Sequence, residues 1–261
     1  MTVAVIVDAD ACVPAALGAG LNIRSAPAAA PLLLEPETIP KIRSEATNLG
    51  AGAAIEVSRA AITDGATELL YLTVDDGFGS AVGLAEILPA ALDSSTRLLI
   101  DSSEAALMGC GWQAVAAAEA IRDGGSLDAA LEAARDVRER VRVIAMLEHP
   151  ELATAAGVTA LDRTQQRVLA ELRGAELGLM GLYKKRDDAL QQLRDRFASS
   201  IKNGTRAHIA VHHAAAGPGA DALASWIERE LSPARLVVAP LTRHAAARLG
   251  PRMMGIAWYE D

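Results

Sequence analysis

The chain has 261 residues, a formal charge of −8, and 51% apolar but only 3% aromatic residues. The excess of acid gives no basic field for a nucleic acid backbone, and no apolar run reaches the ~18 residues that a membrane span needs. The length allows one large domain or two moderate ones.

A core built on Ala, Leu and Val rather than on rings leaves aliphatic cavities, which suit acyl chains better than bases. The first predicted element is a buried strand over Val3–Val7, running without a cationic leader into Asp8, so the start reads as a strand rather than a signal peptide. Cys12 and Cys110 sit in apolar surroundings and read as reduced core residues of a cytoplasmic protein. A short helix around Pro14–Gly18 and a strand near Asn22–Ala26 follow, then a Pro-rich connection from Ala26 to Pro36. A helix is predicted from about Ala51 to Thr63, with Ile55 and Ile62 on one face.

Leu69–Val74 is β-prone and apolar, and Asp75-Asp76-Gly77-Phe78-Gly79 turns from it into a helical pattern that starts at Ser80. Gly79 or Ser80 caps that first turn, whose free N–H groups attract a phosphate or carboxylate. Neither G-x-G-x-x-G nor a Walker loop is present, so a nucleotide is not implied. The plain alternative is a strand–helix turn that binds nothing. Arg97–Ile100 is a further strand ending in Asp101-Ser102-Ser103, whose serines are placed to cap an Ala-rich helix that runs to Arg122. Ser126 caps the next helix, where Leu127, Ala130, Leu131, Ala134 and Val137 form a stripe.

Val141–Met146 reads as the last strand of the first half, and His149-Pro150 opens a crossover reaching Gly157. The expected domains are therefore residues 1–148 and 149–261. In the second, the pattern predicts a helix over Thr159–Leu172, a short strand over Leu177–Tyr183 and an amphipathic helix over Asp187–Ile201. Ala207–Val211 reads as a strand, Ala220–Leu231 as a helix, and Arg235–Ala239 and Met253–Tyr259 as closing strands.

Asp8-Ala-Asp10 after a buried strand resembles the D-x-D of haloacid-dehalogenase-type phosphatases, in which the first Asp attacks phosphorus and Mg²⁺ joins both acids. Asp75-Asp76 and Asp101 could complete such a set, yet Lys41 is the only lysine in the first 150 residues. In the alternative, the strand-end acids Asp8, Asp75 and Asp101 orient loop amides. His212-His213 point to opposite faces of a strand, which disfavours a shared metal. His149 and His244 have no recognisable partner in sequence, and there is no G-x-S-x-G elbow. No catalytic residue and no metal ligand set is therefore assigned.

The order of pieces carries a family resemblance. Ile6-Val-Asp-Ala-Asp-Ala-Cys-Val-Pro14 resembles the opening V-T-D-S-x-x-D-L-P of the DegV family of bacterial fatty-acid-binding proteins. Arg97-Leu-Leu-Ile-Asp-Ser102 with Gly109, and Ile121-Arg-Asp-Gly-Gly-Ser126, resemble its V-I-D-S and x-x-x-G-x-S segments. Ala207-His-Ile-Ala-Val-His-His213 resembles V-x-V-x-H-A, and Arg248-Leu-Gly-Pro-Arg-Met-Met-Gly-Ile256 resembles H-T-G-P-G-A-L-G-I. The matches are collinear over nearly the whole chain. The resemblance implies an α/β fold with a parallel-sheet α/β/α first domain and a two-layer α/β second domain with a mixed sheet. It also implies a long-chain fatty acid as ligand in the cleft between them, its carboxylate held by loop hydroxyls and a histidine. Such proteins are carriers without a cofactor, and they present the acid to a separate fatty acid kinase.

Position by position, the head-group motifs are altered. Ala46-Thr-Asn-Leu-Gly50 stands where the family has T-S-Q-P-S, so Thr47 keeps a hydroxyl and Asn48 an amide. Phe78-Gly-Ser-Ala81 stands for L-S-G-T, leaving Gly79 without a hydroxyl and Ser80 one place on. The tail histidine becomes Arg248 and the following glycine Arg252, and no G-G-R occurs in Leu152–Val158. The resemblance thus implies lipid binding by Thr47, Asn48, Gly79, Ser80, Ala81 and Arg248. In the alternatives, Arg248 is a solvated helix end, and the protein is a lipid-free regulatory relative or a Mg²⁺-dependent phosphotransfer enzyme.

Overall fold

Two sheets and three helical layers are sorted by which faces of each strand are apolar. The computed structural model describes residues 2–26, 50–75, 83–149, 166–174, 176–202 and 205–261. Four strands, β1 (Val3–Val7), β2 (Ile23–Ser25), β3 (Glu68–Thr73) and β4 (Arg97–Ser102), form a parallel sheet in the order β2-β1-β3-β4. Six more, β5 (Arg142–Leu147), β6 (Arg167–Arg173), β7 (Glu176–Tyr183), β8 (Ala207–His213), β9 (Arg235–Pro240) and β10 (Met254–Glu260), form a mixed sheet in the order β7-β6-β5-β10-β8-β9. Only β8 and β9 run parallel there.

Period-2 alternation assigns the faces. Ala4, Ile6, Leu69 and Tyr71 face outward onto α2 (Gly50–Thr63) and α3 (Leu84–Ala91). Val5, Val7, Leu70 and Leu72 face inward, into one cluster with Val143, Ala145, Val168, Ala170, Ala210 and Ala257 of the mixed sheet. Between the sheets lie α1 (Ala15–Leu21), α4 (Met108–Arg122), α5 (Leu127–Arg140) and α8 (Arg243–Leu249). The outer face of the mixed sheet, including Ile144, Leu169, Ile209 and Trp258, is covered by α6 (Arg186–Ser200) and α7 (Gly217–Leu231). The first eight residues of α4, Met108–Val115, are all buried, because α4 packs on β1, β2 and β3 on one side and on β5 and β10 on the other. One continuous core therefore serves both sheets.

Three expectations are corrected. The strand at 142–147, expected to close the first half, is hydrogen-bonded into the mixed sheet between β10 and β6. Residues 167–172, expected as the end of a helix, are strand β6: Val168, Ala170 and Leu172 line the inner core while Leu169 packs outward, so burial on both faces selects a strand. Ser102 and Ser103 do not cap α4, which starts later; the Ser103 hydroxyl instead accepts from Ala105 N–H at 3.3 Å and donates to the Ala105 carbonyl at 3.1 Å. The Ser126 cap is as expected, accepting from Ala129 N–H at 3.2 Å. Residues 27–36 of the Pro-rich connection, 150–157 of the crossover and 159–165 of the expected helix lie outside the described residues. Cys12 and Cys110 are free and buried, and burial pushes both thiols up, Cys110 to about 12. Among the described residues no helix is long and apolar enough to cross a membrane.

Candidate functional site

The carboxyl end of the parallel sheet is where an α/β fold offers its ligand crevice, and there β1 runs into a turn that is buried throughout. Ala9–Ala11 form a single 3₁₀ turn, with Ala11 N–H donating to the Asp8 carbonyl at 3.0 Å and Cys12 N–H to the Ala9 carbonyl at 2.9 Å. Cys12 closes it in the left-handed region at φ 53°. The turn packs closely on Gly111 of α4, where a Cβ would lie 3.0 Å from the Ala11 carbonyl and 2.4 Å from Met108 Sδ.

Asp8 and Asp10 leave this turn in different directions. Asp8 Oδ1 accepts from the Tyr71 hydroxyl at 2.9 Å and Oδ2 from Val74 N–H at 3.1 Å. Burial and the adjacent Asp8 charge push the Tyr71 hydroxyl well above its ordinary range, so it remains a donor. Asp10 is fully buried and reaches into the other half. Its Oδ1 accepts from the Thr242 hydroxyl, and its Oδ2 pairs with His244 Nδ1 at 2.5 Å. Thr242 is also the N-cap of α8, accepting Ala245 N–H at 3.0 Å. Arg248 follows His244 by four residues and so shares its side of α8; it is partly buried.

His212 is not a ligand for metal. Its ring is fully buried, Nδ1–H donates to the Ala239 carbonyl at 3.0 Å, and Nε2 accepts Met108 N–H at 3.2 Å. A carbonyl only accepts and an amide N–H only donates, so the neutral Nδ1–H tautomer is selected. Burial lowers the ring to about 4. The side chain staples the start of α4 to the end of β9. His213 accepts Ala216 N–H at 3.3 Å.

The strand-end acids do not share one mouth. Asp101 pairs across the strands with Leu72 and so faces the inner layer, where Arg135 at 2.8 Å and Arg138 bind it; their hydrogen bonds outweigh the upward push of burial and hold its carboxyl low. Asp8, bonded to Tyr71, faces outward. Asp75 donates its N–H to the Ala105 carbonyl at 3.1 Å and lies against Gly174 in the β6–β7 turn, where a Cβ would come within 2.4 Å of Asp75 Oδ2. Among the described residues no three His, Cys, Asp or Glu side chains are arranged to hold a metal ion. Asp76 and Lys41 lie outside the described residues.

Of the lipid-binding residues expected from sequence, Thr47, Asn48, Gly79, Ser80 and Ala81 lie outside the described residues, and only Arg248 is placed. Arg252, in the turn after α8 at φ 58°, donates its N–H to the Ala214 carbonyl at 2.8 Å. Among the described residues, a cavity of about 400 Å³ opens between α1 and the end of α4, against Val3, Leu21 and Ile121. Another of about 320 Å³ lies between α6 and α7, against Leu190, Leu223 and Trp226. Arg248 lines neither. The Asp10–His244–Thr242 cluster escaped sequence reading, because D-x-D and T-x-H are unremarkable alone and their 232- and 234-residue separations leave no local signal.

A family model described as "Uncharacterised protein, DegV family" matches residues 44–151. No curated protein sequence matches the chain. Its structure is similar to that of a DegV lipid-binding protein from Thermotoga maritima, at 15% identity over 100% of this chain and 99% of that one, with a TM-score of 0.82. DegV of Bacillus subtilis, described as a fatty acid binding protein, is 15% identical with 100% of both chains covered and a TM-score of 0.81. A DegV family protein from Thermus thermophilus, also described by its fatty acid binding, is 19% identical with 100% of both chains covered and a TM-score of 0.78. The family model matches residues 44–151 and the fold agrees with these structures along the entire length, so the chain has the fold of DegV family proteins.

Proposed function

We propose that this protein is a carrier that binds a long-chain fatty acid between residues 1–148 and residues 149–261 and performs no chemistry on it. One observation carries the reading: the fold that runs through the whole chain is shared with proteins described as lipid binding or fatty acid binding. In this reading Thr47, Asn48, Gly79, Ser80, Ala81 and Arg248 hold the carboxylate, with Arg248 standing where the family has a histidine. A guanidinium grips a carboxylate with two parallel hydrogen bonds, each roughly twice as strong as a neutral one. Burying a sixteen-carbon chain at ~0.8 kcal/mol per CH₂ stabilises the complex by about 10 kcal/mol before ordering costs.

The bound acid is proposed to be presented to a separate fatty acid kinase in the cytoplasm, with no metal or cofactor. Native mass spectrometry of gently purified protein tests the central claim, with an adduct of a few hundred daltons as the expected result. A bare mass, together with no rise in melting temperature when long-chain acids are added, would refute it.

A further inference from the structure

We infer that Asp10 is a positioning residue for Arg248, acting through Thr242 and His244 across the junction of the two halves. This rests on the reading of Arg248 as a ligand for the fatty acid carboxylate. Asp10 has little freedom of its own. It sits in a buried 3₁₀ turn, closed by a left-handed Cys12 and pressed against Gly111 of α4. Both carboxylate oxygens are committed to α8 or its cap, Oδ1 to Thr242 and Oδ2 to His244. A buried carboxylate demands such partners, since an uncompensated charge is costly.

Helix α8 takes its orientation from what surrounds it. It spans only Arg243–Leu249, far too short to be stable by itself. Its buried face is Ala245, Ala246, Ala247 and Leu249, of which Leu249 alone puts a large apolar side chain into the core. Its far end is tied by Gly250 N–H to the Ala246 carbonyl at 2.8 Å and by Arg252 N–H to the Ala214 carbonyl at 2.8 Å. The two bonds to Asp10 hold its first turn, as the core contacts of Leu249 and the Arg252 N–H hold its far end. His244 and Arg248 are stacked one turn apart, so the bond that orients His244 also aims Arg248. The first half thus decides where the second half's cation points.

The test is a set of affinities for a fluorescent long-chain fatty acid, with thermal melts to confirm that each variant is folded. His244→Leu removes one bond and leaves Asp10 the other, while Thr242→Val removes the other bond together with the cap on Ala245 N–H. Each is expected to weaken binding about tenfold, while Thr242→Ser, which keeps the hydroxyl, binds like the parent. In an Arg248→Met background the same two substitutions are expected to cost no further affinity, because there is no cation left to misplace. Equal losses with and without Arg248, or parental affinity in both variants, would overturn the inference while leaving the carrier reading intact. Failure of the unsubstituted protein to bind any fatty acid would overturn the carrier reading, and this inference with it.

Discussion

The Tyr71 hydroxyl donates to Asp8 at 2.9 Å on the outer face of the parallel sheet, one strand over from where Asp8 leaves β1. The pair is buried, so replacing Tyr71 by Phe takes a donor from a carboxylate that cannot recruit bulk water in its place. Tyr71→Phe is expected to lower stability by about 1–3 kcal/mol. Urea unfolding should show a lower midpoint with an unchanged slope.

His212 predicts the acid limb of the stability profile. Its folded value of about 4 lies below the ordinary 6.5 because of burial. Above pH 6.5 the ring is neutral in both states and contributes nothing to the pH slope. As pH falls from there toward about 4, the unfolded chain takes up a proton that the folded chain refuses, so stability drops, by about 3 kcal/mol in total. Burial shifts His208 and His213 in the same direction, which steepens the limb. Asp101 and Glu148 are held low by their arginines, despite the opposing push of burial, so their contribution disappears at still lower pH. Urea midpoints at a series of pH values should fall continuously through this range.

Gly174 is predicted to be intolerant of a methyl group. It adopts φ 58°, and a Cβ would sit 2.4 Å from Asp75 Oδ2. Gly174→Ala must displace the Asp75 carboxylate, and the left-handed backbone alone costs about 1 kcal/mol. A fall in melting temperature is expected, together with faster amide exchange at Asp75, whose N–H bonds to the Ala105 carbonyl.

Arg248→Ala is expected to weaken fatty acid binding by about tenfold to a hundredfold, the worth of a hydrogen bond to a charged group. A fatty alcohol of the same length carries no charge for the guanidinium to meet, so its affinity should change little. Arg248→Lys should fall between, keeping the charge but losing the two-pronged geometry. Isothermal titration with both ligands checks all three statements.

Much of the fold was legible because burial was written in runs and stripes. The apolar run at Val3–Val7 and the stripe from Leu127 to Val137 gave a strand and a helix directly. Ser126 announced its helix by capping chemistry. The collinear motifs led to a family resemblance, and so to a parallel sheet beside a mixed one. The two misread strands share a cause: partners far away in sequence. β6 read as helix because Val168, Leu169 and Leu172 also fit a helical face, and only pairing with β5 and β7 shows both its faces to be covered. β5 read as the end of the first half because nothing in Arg142–Leu147 names β10 as its neighbour. At the site, Arg248 could be aligned by motif, but its helix is held by Asp10 across 234 residues.

The position of β10 bears on how the molecule is made. This strand, the last of the described strands in chain order, lies between β5 and β8 rather than at a rim. Until residues 254–260 leave the ribosome, β5 with its hairpin and β8 with β9 are two unjoined pieces, each with a bare edge. Synthesis must therefore carry an unfinished sheet to its final strand, and a nascent chain stalled or clipped just short of it presents those edges to chaperones and to other unfinished copies.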